Sequence, residues 1–264
     1  MQEIVTSPHA TGVGIEVRGV RRVFDSGVIA LDGLSLNIHP GEFIAILGPS
    51  GCGKSTLLRL IAGLDKPQSG SITIADDPDT PATKAREHLA YVFQDAHLLP
   101  WRSVLDNVAL PLELLGIQRG QRLAPSRQAI ERVGLSDAVD RYPNQLSGGM
   151  RMRVSLARAM VTQPRLLLLD EPFAALDEIT RQRLDEQLRE LWLAARMTVV
   201  FVTHSTAEAV FLADRAVVLS KRPGQIIADH TIELPPNRAG PIRATPEFAR
   251  QTRVLYEALD RGQT

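Results

Sequence analysis

The stretch Gly48-Pro49-Ser50-Gly51-Cys52-Gly53-Lys54-Ser55 fits G-x-x-x-x-G-K-[ST] at every position. Glycines in such a loop let successive backbone N–H groups turn inward onto phosphate oxygens. A helix opening near Lys54 adds its positive end to the same anion. Lys54 is expected to reach the β and γ phosphates of a nucleotide, Ser55 to ligate Mg²⁺ and Thr56 to stand near the α phosphate. Cys52 reads as a small filler of the loop, where alkylation is expected to block nucleotide access. A second constellation is Leu166-Leu167-Leu168-Leu169-Asp170-Glu171, an apolar strand ending in two acids. A carboxylate at such a strand end is placed to hold Mg²⁺ through water, which is the role expected of Asp170. Glu171 follows directly, points elsewhere, and is the candidate general base for an attacking water. A third is Leu146-Ser147-Gly148-Gly149, which opens a helix. Ser147 is a good N-cap and the two glycines leave bare N–H groups, so this is a second anion site. A single nucleotide already has its phosphates filled by the first loop, and the residues alone leave open which phosphate the second site serves.

The elements that must position these residues alternate. Strand-like stretches at Gly14–Val20 and Leu34–Ile38 carry Gly27 and Gly33 as turn signals. The continuous apolar run Phe43–Leu47 predicts a strand buried on both faces, and Lys54–Leu64 a helix closed by Gly63. Residues 95–162 are helical in character, with helices expected over Val104–Leu115, Ser126–Val133 and Gly148–Val161 and with Pro100, Pro111, Pro125 and Pro143 as breakers. The alternation resumes with strands at Arg165–Leu169 and Thr198–Thr203 around an amphipathic helix, Glu178–Ala195. Ala213–Ser220 and Gln225–Leu234 read as strands, 235–245 as a Pro-rich loop and Pro246–Leu259 as a last helix. Residues 1–14 read as a frayed, flexible N-terminus. The pattern predicts an α/β core interrupted by a helical insert, with a small C-terminal addition.

The order of these motifs, with Gln94 between the first and third and a lone His204 after the acids, resembles the nucleotide-binding subunit of ATP-binding cassette (ABC) transporters. The Leu146–Gly149 element is the signature of that family. The resemblance covers about Ile15 to Leu234. It implies a P-loop NTPase core with a mixed sheet, an antiparallel β subdomain and an inserted helical subdomain. The organisation expected is an ATPase domain over 15–234, its helical insert at about 95–162, and a C-terminal extension over 235–264. In the family two subunits pack head to tail, with each ATP between the phosphate loop of one chain and the signature of the other. The resemblance therefore implies that Ser147, Gly148 and Gly149 face the γ phosphate held by the partner. It likewise implies that Phe24 stacks on adenine and that Gln94 reports Mg²⁺ and the γ phosphate to the insert. Asp177 would cross to the partner's phosphate loop, and His204 would hold the γ phosphate and the attacking water. ATP and Mg²⁺ are the implied cofactors. Met150 and Met152 stand where the family commonly has glutamine, Ser205 where it has aspartate and Ala174 where it has Ser or Gly. Ser205-Thr206-Ala207-Glu208 nonetheless reads as a capping box.

Composition narrows the biology. Thirty basic and thirty acidic residues give a formal net charge of +0, so bulk charge points to no nucleic-acid partner. One cysteine, Cys52, permits no internal disulfide and suits a reducing compartment. The apolar runs Phe43–Leu47, Leu166–Leu169 and Val199–Val202 fall far short of the roughly 18 residues of a membrane span. The first residues carry neither a basic cluster nor an apolar core, so no secretory signal is read. The segment Gln94–Val108, with Leu98, Leu99 and Trp101, suggests a groove for a short helix of a membrane subunit. This segment together with Leu146–Arg151 resembles the ATPases of bacterial importers for nitrate, taurine and alkanesulfonates. Implied partners are a second copy or a paired ABC subunit, integral membrane permease subunits and, through them, an extracytoplasmic solute-binding protein. The implied location is peripheral, on the cytoplasmic face of the inner membrane. Two other classes fit less well. A soluble ABC ATPase acting on nucleic acid or the ribosome usually carries two cassettes or long basic inserts, which are lacking here. A simple phosphotransferase has no use for the signature or for the lone histidine.

Overall fold

The structure is a computed structural model that describes residues 12–75 and 88–262. Two sheets organise them. The first is antiparallel, in the order β2-β1-β4, formed by β1 (Gly14–Val23), β2 (Ile29–Ile38) and β4 (Ser69–Ala75). The second has the order β5-β6-β7-β3-β8-β9. Its strands are β3 (Phe43–Leu47), β5 (Leu89–Val92), β6 (Leu166–Asp170), β7 (Thr198–Val202), β8 (Arg215–Leu219) and β9 (Ile226–Thr231). All of its pairings are parallel except that of β9 with β8. The helices are α1 (Lys54–Ala62), α2 (Val104–Leu114), α3 (Arg119–Arg132), α4 (Gly148–Met160), α5 (Glu178–Ala195), α6 (Thr206–Leu212) and α7 (Pro246–Arg261).

The continuous apolar runs are explained by burial on both faces of the larger sheet. Phe43, Ala45, Leu47, Leu167, Leu169, Val199 and Phe201 join one hydrophobic cluster, which also takes in the helical insert and Phe248, Leu255 and Ala258 of α7. Their alternates Ile44, Ile46, Leu166, Leu168, Val200 and Val202 join a second cluster with α1 and the antiparallel sheet. The period of two thus divides each strand between two cores.

Several elements differ from expectation, each for a local reason. β1 and β2 are longer than the sequence suggested. Gly27, at φ +77°, makes the turn between them, with Phe24 N–H donating to Val28 O at 2.9 Å. Gly33, expected as a turn, lies inside β2 at φ +68°, where the pairing slips between Val20–Leu34 and Arg22–Leu31. A glycine bulge explains the misreading. Pro111 and Pro125 do not break helices; they lie within α2 and α3. Each forgoes a helical hydrogen bond. Burial of Val108 and Leu112 beside one, and of Ala129 and Ile130 beside the other, outweighs that loss. β4 and β5 were not anticipated. Residues 1–11 of the expected frayed end lie outside the described residues. Gly12–Gly14, by contrast, belong to the fold: Gly12 N–H donates to Arg196 O at 3.1 Å, and Thr198 Oγ1 donates to Val13 O at 2.7 Å.

Candidate active site

Adjacency of parallel strands assembles the site. β7 lies between β6 and β3, and Val202 is level with both Ile46 and Asp170. The three chain segments that leave these strands, Gly48–Lys54, Asp170–Glu171 and Thr203–His204, therefore emerge side by side at one sheet edge, where ligands of such sheets gather.

Gly48–Lys54 wraps the start of α1. Gly53, at φ +112°, caps the helix without a side-chain bond, and no acid stands in the first turn, so the leading N–H groups remain available to an anion. A Cβ at Gly48 would meet Cys52 Sγ at 2.7 Å, and one at Gly53 would meet Ala30 O at 2.8 Å. The loop thus closes tightly behind a cleft lined by Gly51, Gly53, Lys54, Ser55, Thr56, Phe24, Ala30, Glu171 and Arg222. Pro49 and Ser50 lie outside this lining. Lys54 is 4% exposed, and its Nζ donates to Gly48 O at 2.8 Å and Pro49 O at 3.0 Å while standing 3.7 Å from Glu171 Oε1. Cys52 is buried, and burial pushes its thiol up, so it holds little thiolate at neutral pH. The expected block of nucleotide access by alkylation thus concerns a thiol that reagents reach and activate poorly.

Ser55 Oγ donates to Asp170 Oδ1 at 2.8 Å, and Tyr91 OH donates to Asp170 Oδ2 at 3.1 Å. Burial, then the Asp170 charge, raises the Tyr91 phenol, which keeps its proton on this carboxylate. Glu171 takes a left-handed conformation, φ +47°, although it is not glycine. Its N–H still extends the ladder, donating to Val202 O at 3.0 Å. That twist separates its side chain from Asp170 and carries it between Lys54 and His204, whose Nδ1 lies 3.4 Å from Glu171 Oε2. Backbone strain of this kind, about 1–3 kcal/mol, collects at functional positions. Phe24 lines the same cleft, with the Arg22 guanidinium 5.0 Å above its ring.

Gln94 follows the end of β5 and is exposed. The loop after it is tied to α4, because Arg158 of that helix donates to Ala96 O at 2.7 Å and His97 O at 2.9 Å. Ser147 caps α4 by accepting from Met150 N–H at 3.2 Å. Gly149 abuts α5, where a Cβ would meet Thr180 Cγ2 at 2.6 Å, and Gly148 faces Leu176. Asp177 caps α5 by accepting from Thr180 N–H at 3.0 Å, a bond that holds its carboxyl below the usual range. Ser147–Gly149 and Asp177 thus form one surface, and none of them lines the cleft around Lys54.

Sequence reasoning missed Tyr91, which marks itself only by its place three residues before Gln94. It also missed Arg222, whose Nε and Nη2 hold Gly51 O at 3.0 and 2.8 Å from a turn distant in sequence. The apolar groove near the insert is also composed differently from expectation. Leu98 packs against the core, the Leu99 backbone is held by Asn107, and only Trp101, 71% exposed, stands free. The groove lies instead among Tyr91, Leu110, Pro111, Leu114 and Leu115, the last two 79% and 68% exposed.

Comparison with known proteins places this geometry. A family model described as ABC transporter matches residues 31–174. The aliphatic sulfonates import ATP-binding protein of Mycobacterium sp. (strain MCS) is 48% identical over 245 residues, covering 93% of each chain. A solved dimeric ATP-binding cassette, in a post-hydrolysis state bound to ADP and Pi, is 33% identical with a TM-score of 0.72, covering 83% of this chain and 99% of that one. A structure from Clostridium perfringens, part of an ABC transporter complex, is 28% identical with a TM-score of 0.76, covering 91% and 94%.

Proposed function

Since the chain belongs to the ABC transporter family and is one of its ATP-hydrolysing subunits, we propose that it works as a head-to-tail dimer beneath the permease of an importer, closing two ATP molecules between its copies. One separation carries this reading. The cleft around Lys54 has a phosphate loop, a base and a cation, whereas the anion-binding start of α4 opens on a different surface of the same chain. A second copy turned head to tail brings the two together. The dimeric cassette with ADP and Pi supports the arrangement by likeness. Residues 15–234 form the ATPase domain in this reading, with the insert at about 95–162 and an extension over 235–264.

Each side chain then has a task. The Lys54 ammonium and the N–H groups of Gly51, Gly53, Lys54 and Ser55 neutralise and orient the β and γ phosphates, with Gly48, Pro49, Ser50 and Cys52, whose N–H donates to Pro49 O at 3.3 Å, shaping the loop behind them. Thr56 flanks the α phosphate and Phe24 stacks on adenine. Ser55 Oγ and Asp170 Oδ1, 2.8 Å apart with Asp170 steadied by Tyr91, fit a Mg²⁺ that keeps its remaining ligands from phosphate and water. Such an ion, when bound, draws off charge from the phosphate oxygens. Gln94, just past the end of the strand beside Asp170, would supply a further oxygen to such an ion. Glu171 accepts the proton of the attacking water, and His204 orients both. Ser147, Gly148 and Gly149 complete the pocket of the facing copy, and Asp177 crosses to its phosphate loop.

Among the described residues no helix is long and apolar enough to cross a membrane. A peripheral position on the cytoplasmic face of the inner membrane follows from docking, and the exposed groove around Leu114 and Leu115 suits an apolar permease helix. The solute enters through that permease, supplied by an extracytoplasmic binding protein. We assign it to the aliphatic sulfonate class on the names of relatives, and keep nitrate and taurine as alternatives from the motif resemblance alone.

Ser147→Arg tests the dimer. Nucleotide should still bind one per chain, while the ATP-induced dimer disappears from light scattering. A dimer that persists overturns the head-to-tail reading. Stimulation of the reconstituted complex by alkanesulfonate, taurine or nitrate assigns the solute, and stimulation by none of the three refutes the class.

A further inference from the structure

We propose that Arg243, in the C-terminal segment, is a positioning residue for His204, holding the helix that follows the histidine in register with the helix that begins at Asp177. The inference rests on the role given to His204 above and extends it to a residue outside the ATPase domain.

The turn Gly240–Ala244 lays Arg243 between α5 and α6. Its Nη2 donates to Asp185 Oδ2 on α5 at 2.7 Å, and its guanidinium carbon lies 3.8 Å from the centre of the Phe211 ring on α6. Helix α6 starts two residues after His204 and cannot move without it. The backbone on either side of the histidine is bonded into the same helix. Thr203 Oγ1 donates to Glu208, Ser205 N–H donates to Thr203 Oγ1 at 3.0 Å, and Ser205 Oγ accepts from Glu208 N–H at 3.3 Å. Arg181 of α5 stands 3.6 Å from Glu208. Three links therefore join α5 to the His204 helix: Arg181 to Glu208, Asp185 through Arg243 to Phe211, and, at the far end of α6, Arg189, whose Nη1 donates to Leu212 O. The same C-terminal segment secures the far end of α6, where Arg238 Nη1 donates to Val210 O, Phe211 O and Ala213 O at 2.8, 3.1 and 2.7 Å.

The chemistry of the bridge favours positioning over simple cohesion. Asp185 is buried, and Asp185 Oδ1 and Arg243 Nε lack hydrogen-bond partners. A bulky apolar pair would fill this space without the desolvation cost of two charges. An arginine adds direction: its planar fork aims at one carboxylate while its face lies against one ring. The charged groups facing Asp185 are Arg243, Glu208 and Arg181; those facing Glu208 are Arg181, His204 and Glu178.

The test is a double-mutant cycle on the full chain, read by single-turnover phosphate release and by nucleotide-binding stoichiometry. His204→Ala alone tests the underlying reading, because undiminished turnover there removes His204 from the reaction whatever Arg243 does. Given that loss, Arg243→Ala in the native background should lower the turnover rate about tenfold to a hundredfold, the penalty of a reacting group displaced by about 1 Å. KM should hold, with one nucleotide bound per chain. In the His204→Ala background the same substitution should change the rate less than twofold. Equal losses in the two backgrounds, or a native-background loss below twofold, overturn the proposal. Arg243→Lys keeps the charge but loses the fork and the ring contact, and it carries the same cycle if the alanine variant fails to fold.

Discussion

Substituting Gly149 by alanine probes the surface that must meet a second copy. The new Cβ would stand 2.6 Å from Thr180 Cγ2, with Leu176 Cδ2 at 4.0 Å and no backbone atom among the close neighbours. Carbon atoms pack comfortably at about 3.5–4.0 Å, so the shortfall is about 1 Å and falls on one methyl group. Overpacking of this size costs about 1–3 kcal/mol. Alanine returns up to about 1 kcal/mol through its better helix propensity. The net loss expected is about 1–2 kcal/mol, a fall in Tm of roughly 2–8 °C for a chain of this size. Thr180→Ser removes the offending methyl and keeps the N–H that Asp177 caps. Gly149→Ala in that background should therefore be neutral or stabilising. Thermal and urea melts of the four proteins decide the matter. Because Thr180 anchors the Asp177 cap, the single variant should also weaken ATP-induced dimerisation, and the double variant should regain it. A cost that is the same in the native and Thr180→Ser backgrounds would refute the reasoning, since the strain would then come from elsewhere.

Glu171→Gln keeps the shape of the base but cannot take a proton. Its turnover should fall about 10²–10⁴-fold with nucleotide binding intact, and a dimer should accumulate in light scattering; turnover near the native rate removes Glu171 as base. Stability should also depend on pH through Asp185. Burial, then the Glu208 charge, pushes this carboxyl up from 3.8 to about 7. A folded-state value above the unfolded one makes folding take up a proton. The contribution is thus complete below about pH 4 and lost as pH rises through 7, on the order of 4 kcal/mol across the interval. Glu208, also raised by burial, acts in the same sense. Urea melts between pH 5 and pH 8 should show Asp185→Asn with a flatter profile than the native chain, and parallel profiles would contradict the assignment.

The parts of the site that stand next to each other in the chain were legible in the sequence. The loop at Gly48–Ser55, the acids ending the leucine strand and the serine–glycine helix start each announce their chemistry by local spacing. The strands that carry them show as continuous apolar runs because both faces are buried. What local spacing hides is bonding between distant segments. Tyr91 on Asp170, Arg222 on Gly51 and Arg243 on Asp185 each join residues that only the fold brings together. Gly33 was misread because a bulge and a turn use the same residue for the same backbone reason. Pro111 and Pro125 were misread because tertiary burial overrode local propensity.

One hydrophobic cluster runs without a break from the central strands through Val104, Val108 and Ile130 of the insert to Phe248 and Leu255 of the last helix. The insert is thus no pendant lobe on a slack tether. Whatever swing it makes during turnover has to pivot on that oily seam, for prising open even 100 Å² of it costs about 2.5 kcal/mol. On the proposed reading, the stroke delivered to a permease should accordingly be a short, stiff tilt, geared by the interior and not by the loops.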